Sequence, residues 1–170
     1  GVTSLGDIDG DGRIELLVGA TQDDDGDDVS ATGRGAVWYL DIKAAKTAHW
    51  SSLGHALAGS AGFPTLAGDG ALIADDTVSL SLTDAAPLAP ATLFASSVAV
   101  YQPFNGGTIV PDPTTLPLSM TTSASGKATY REEWPAGVPP GIQFFFQFWI
   151  EDAAAVAGFS ASNAVVGVVP

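Results

Sequence analysis

Residues 142–150, Ile142-Gln143-Phe144-Phe145-Phe146-Gln147-Phe148-Trp149-Ile150, decide the fold class. Taken two at a time, Ile142, Phe144, Phe146, Phe148 and Ile150 fall on one side, and Gln143, Phe145, Gln147 and Trp149 on the other. A period of two is the signature of a β-strand, whose successive side chains point to opposite faces. Upstream, Val78, Leu80 and Leu82 alternate with Ser79, Ser81 and Thr83, and Leu93 to Tyr101 reads as a further strand. Turn-forming clusters separate these segments: Ala67 to Gly70, Pro103 to Gly107, Pro111 to Pro113 and Trp134 to Gly141. Short alternating segments punctuated by Gly, Pro and Asn, with no helical crossovers between them, predict an all-β antiparallel sandwich for residues 63–170.

Composition agrees and narrows the partners. The chain has 170 residues, 46% of them hydrophobic, with 20 Gly and 11 Pro, which suits a packed core joined by many turns. Lys and Arg number 6 against 19 Asp and Glu, a formal charge of −13. That balance repels nucleic acid and anionic membrane and favours a divalent cation. With no Cys, disulfides, thiolate metal ligands and Cys nucleophiles are excluded. No apolar run reaches the roughly 20 residues that span a bilayer, so membrane insertion is not expected. The first residues show no basic and apolar leader pattern.

The acidic residues are concentrated early, in Gly6-Asp7-Ile8-Asp9-Gly10-Asp11-Gly12-Arg13-Ile14-Glu15-Leu16-Leu17-Val18-Gly19-Ala20, followed by a second acidic run at Gln22 to Asp28. Carboxylates at alternate positions of a Gly-containing turn can point inward at one hard cation. Calcium takes six to eight oxygen ligands, and Asp7, Asp9, Asp11, the Arg13 carbonyl and Glu15 supply most of them. The competing reading is a solvated acidic hairpin turn, in which close like charges repel without a counterion. An EF-hand does not fit: the twelfth position from Asp7 is Val18, where that loop needs a bidentate Glu, and Leu16 to Val18 reads as strand.

Val2 to Gly12, Glu15 to Ala20 and Arg34-Gly35-Ala36-Val37-Trp38-Tyr39-Leu40 together resemble an FG-GAP repeat, the unit of integrin-type β-propellers. The resemblance covers residues 1–42. It implies calcium ligation by Asp7, Asp9, Asp11 and Glu15 and by the Arg13 carbonyl, with Glu15 standing where the family usually has Asp. One repeat makes only part of a propeller, because a single blade cannot bury its own faces. Exposed strands at Leu16 to Val18 and Val37 to Leu40 would therefore make a second copy of the chain an expected partner. Residues 43–62, rich in Ala and with Leu53 and Leu57 four apart, are expected to be a linker or a short helix.

The later part has its own likeness. Phe63 to Gly70, Pro103-Phe104 with Gly106-Gly107-Thr108, Trp134 to Gly137, Phe146 to Ile150 and Ala161 to Ala164 resemble a C-terminal module of secreted and surface proteins of environmental bacteria. The likeness spans residues 55–170. It implies a secreted or cell-surface location, an immunoglobulin-like or jelly-roll sandwich, and an extracellular protein or glycan as partner.

Catalytic chemistry is thinly represented. The histidines are His49 and His55, and no G-x-S-x-G elbow presents a serine to them. A glycosidase would need a carboxylate pair, and the best candidates are Glu132 and Glu133 beside Trp134, with Glu151 and Asp152 at the end of the aromatic run. Neighbours on a strand point to opposite faces, so at most one of each pair can enter a common cleft. Sugar binding asks less, since Tyr101, Tyr130, Trp134 and Trp149 are rings that could stack on a glycan, although the core competes for them. The expectation is thus a noncatalytic, calcium-binding adhesion or accessory module, with a glycan binder or glycosidase as the alternative.

Overall fold

The computed structural model describes residues 1–6, 15–20, 35–40 and 49–170. It is all-β, 59% strand, with no α-helix among the described residues. The chain divides into two compact units, residues 1–46 and 47–170.

The first unit contains β1 (Val2–Gly6), β2 (Glu15–Ala20) and β3 (Ala36–Leu40), an antiparallel sheet in the order β1-β2-β3. Gly6 stands opposite Glu15, Leu16 opposite Leu40 and Ala20 opposite Ala36. The amino terminus is tied into the sheet, since the Gly1 ammonium donates to the Gly19 carbonyl and the Gly19 N–H donates to Gly1 O, both at 2.7 Å. Val37, Trp38, Tyr39 and Leu40 are all exposed.

In the second unit the 142–150 signal resolves into β12 (Gln143–Glu151), the centre of the main sheet. On one side it pairs with β7 (Pro90–Ser96), and β7 with β10 (Leu116–Thr121). On the other it pairs with β14 (Ala164–Val168) and with the short β13 (Phe159–Ala161), and β14 pairs with β4 (Trp50–Gly54). A second antiparallel sheet runs β11 (Ala128–Glu133), β6 (Thr77–Thr83), β5 (Thr65–Asp69). The remaining pair is a hairpin of β8 (Ala99–Phe104) and β9 (Gly107–Pro111).

The period of two explains how these layers meet. Phe146, Phe148 and Ile150 of β12 pack with Leu93 of β7, Leu80 and Leu82 of β6 and Leu66 of β5 to form the main core. Phe145 and Trp149, on the opposite face, pack against Val110 and Ile109 of the hairpin. Because β12 is covered on both faces, it carries an almost continuous run of aromatics where a half-exposed strand would alternate with polar residues. Gln147, fully buried, satisfies itself completely: its Oε1 accepts from Val110 N–H at 3.0 Å, and its amide hydrogens are shared among the carbonyls of Ser162 (3.1 Å), Thr108 (3.2 Å) and His55 (3.3 Å). The layered arrangement is consistent with a β-sandwich.

Two segments differ from the sequence reading. Within 43–62, expected as a linker or short helix, Trp50–Gly54 is the outermost strand of the main sheet. The leucine spacing misleads because the two side chains serve different clusters: Leu53 packs near Phe145 and Val166, and Leu57 near Ile109 and Trp149. Likewise, Leu93 to Tyr101 is broken into β7 and β8 by a turn in which Ser96 Oγ accepts the Val98 N–H at 2.9 Å.

Candidate functional site

The sequence nominated three groups of residues, and the fold distributes them widely. The expected calcium ligands come first. Asp7, Asp9, Asp11 and Arg13 lie outside the described residues, while Glu15 opens β2. The strands on either side of the acidic motif pair with each other from Gly6↔Glu15 onward. The chain therefore enters and leaves the motif at adjacent points of one hairpin. Among the described residues there is no cluster of three or more His, Asp or Glu able to hold a metal.

The carboxylates come second. Glu132 and Glu133 end β11, opposite Val78 and Thr77. The Tyr130 hydroxyl donates to Glu132 Oε2 at 3.3 Å, and partial burial, together with the charge and hydrogen bond of Glu132, raises the phenol above its ordinary pKa. Trp134 follows at once, its ring edge-on to Phe144 at 5.1 Å, beside Leu72, Val78 and Val169. Phe144 belongs to the start of β12, whereas Glu151 is its last residue. They stand seven residue steps apart, roughly 23 Å at 3.3 Å per residue. The pair at 132–133 and the pair at 151–152 thus occupy opposite ends of the sandwich, far beyond the ~5–10 Å at which two carboxylates share a glycosidic bond.

Asp152 is engaged structurally. Its Oδ2 accepts from the Ser60 backbone N–H at 2.6 Å and the Ser60 hydroxyl at 2.9 Å, and its Oδ1 from Ala154 N–H at 3.2 Å. Burial pushes its pKa upward, but the hydrogen bonds from Ser60 and Ala154 outweigh that and hold the carboxyl below the usual range. Gly59 packs directly on Asp152 and Ser160, leaving no room for a side chain.

The aromatic rings form the third group. Trp149, 3% exposed, is a core residue, edge-on to Phe104 at 4.9 Å. Trp134 is partly buried against Phe144, Tyr130 is partly buried and Tyr101 is exposed. Tyr101 sits edge-on to His55 at 5.4 Å, and both backbones are left-handed, at φ 46° and 65°. The four rings nominated from sequence do not make one platform.

No family model, curated protein or solved structure matches this chain. One feature that strand patterns did not flag is a depression of about 540 Å³ at the Glu151 end, lined by Ala86 to Pro90, Glu151 to Ala153, Gly158 and Phe159. The paired prolines Pro87 and Pro90 were its available signal, since proline rigidifies a loop.

Proposed function

We propose that the chain is a noncatalytic, calcium-binding segment of a secreted or cell-surface bacterial protein. In this reading an FG-GAP-like hairpin holds calcium, and an immunoglobulin-like or jelly-roll sandwich serves as an accessory module. The observation that carries it is the pairing of β1 with β2 directly across the acidic motif. It supports the reading because a loop closed at its base costs less entropy to organise around a cation than an open chain. Asp7, Asp9 and Asp11, the Arg13 carbonyl and Glu15 would supply hard oxygen ligands of the type calcium takes. The separation of the carboxylate pairs gives the glycosidase reading no support.

Thermal unfolding in EDTA and across calcium and magnesium titrations tests the proposal. A cation that binds only the folded state adds about 2.7 kcal/mol at a hundredfold excess over its Kd. A saturable, calcium-specific rise in melting temperature is expected, abolished by Asp9→Ala with little change in EDTA. A variant that still responds fully would remove Asp9 from the site.

A further inference from the structure

We infer that the depression at the Glu151 end of the sandwich receives a long-stemmed cationic side chain, an arginine of a basic protein partner. Its walls are apolar: Pro87, Leu88, Pro90 and Phe159 line it. Its charge is one-sided. The Glu151 side chain is exposed and makes no hydrogen bond or ion pair among the described residues, and Asp152 adds a second negative charge whose oxygens are already committed to Ser60 and Ala154. From residue 49 onward the sequence has only Lys127 and Arg131 as cations, and neither lines the depression.

The Ala86–Pro90 loop is held in place by Thr122 and Ser123. Thr122, 2% exposed, donates its hydroxyl to Ala86 O at 2.6 Å and accepts the Ala89 N–H at 2.9 Å. The Leu88 N–H donates to Ser123 O at 3.2 Å. These bonds fix Leu88 at φ 53° with 69% of its surface exposed. Leu88 thus joins a strained left-handed backbone to an exposed apolar side chain, and such backbone strain clusters at ligand-binding sites.

The combination selects among cations. A bare divalent ion wants six or more oxygens, and one free carboxylate among apolar walls does not provide them. An arginine brings an aliphatic stem for Pro87 and Leu88, and a planar fork that can meet the Glu151 carboxylate and lie against Phe159. The site extends the accessory-module part of the proposed function and does not depend on calcium.

The test is an amide-resolved NMR titration of the full chain with acetyl-Gly-Arg-Gly-amide, in EDTA and again with calcium. The citrulline peptide, of similar shape but uncharged, is the control. Saturable shifts at Leu88, Ala89, Glu151, Ala153 and Gly158 are expected, the same with and without calcium, and none with citrulline. Glu151→Gln should weaken binding about tenfold, the loss of one charge-assisted hydrogen bond. Leu88→Gly, which relaxes the backbone while removing a wall, should weaken it several-fold with the fold intact. Absence of saturable shifts at these amides, or equal shifts with citrulline or with Glu151→Gln, would overturn the inference. Failure of the calcium proposal would register separately, at the amides of Gly6 and Glu15.

Discussion

At the scale of single residues, buried polar side chains dictate more than their number suggests. Gln147 gives up its hydration completely and recovers it through four protein groups. Gln147→Leu keeps the shape but strands the Val110 N–H and three carbonyls without their partner, so a loss of about 2–3 kcal/mol is expected in urea unfolding. Asp152 makes a prediction in pH. Its folded pKa lies below the unfolded value of about 3.9, so its contribution is fully present above that value and is lost as pH falls through the folded pKa. The stability difference between the native chain and Asp152→Asn should therefore be constant from neutral pH down to about pH 5, then shrink in stronger acid. Melting temperatures across that range would show it, and a difference that persisted undiminished in acid would assign the clasp to packing alone.

At the scale of elements, the β8–β9 hairpin shows what a short signal can specify. Asn105 and Gly106, at φ 38° and 85°, make the tight connection that Asn-Gly favours between antiparallel strands. A Cβ at Gly106 would approach Val156 Cγ1 to 3.0 Å as well as straining the backbone. Gly106→Ala should cost roughly 1–2 kcal/mol, with Trp149 fluorescence reporting the loosened cover. This turn, the alternation of β6 and the two-faced β12 were legible because each obeys a local rule. The strand at Trp50–Gly54 was not, because its partner β14 lies more than a hundred residues later and the four-residue leucine spacing imitates a helix. The candidate site was less legible still. That Trp149 faces the core, and that Glu132 and Glu151 stand at opposite ends, follow from how sheets stack. Spacing along the chain cannot convey either.

Across the whole molecule, the formal charge of −13 works against compaction. Raising sodium chloride from low to physiological strength and beyond should raise the melting temperature by a few degrees through screening. That general response should be the same for sodium and potassium and should lack saturation, which separates it from calcium binding. A melting temperature that falls with salt would mean that attractive ion pairs outweigh the repulsion. No helix among the described residues is long and apolar enough to cross a membrane.

The placement of β12 at the centre of its sheet also sets a timetable. Its partner on one side, β7, is made some fifty residues earlier, and its partner on the other, β14, comes after it. Its pairings with β13 and β14 are local, but those of β12 with β7 and of β14 with β4 are not, so closure must wait for distant segments to meet, a topology that folds slowly. During synthesis, β7 leaves the ribosome well before the strand that will cover its inner edge. When Phe144 to Trp149 do emerge, they are a sticky, uncharged ribbon until β14 follows. The residues that make the native core secure are thus the ones most exposed to misassembly while the chain is being born.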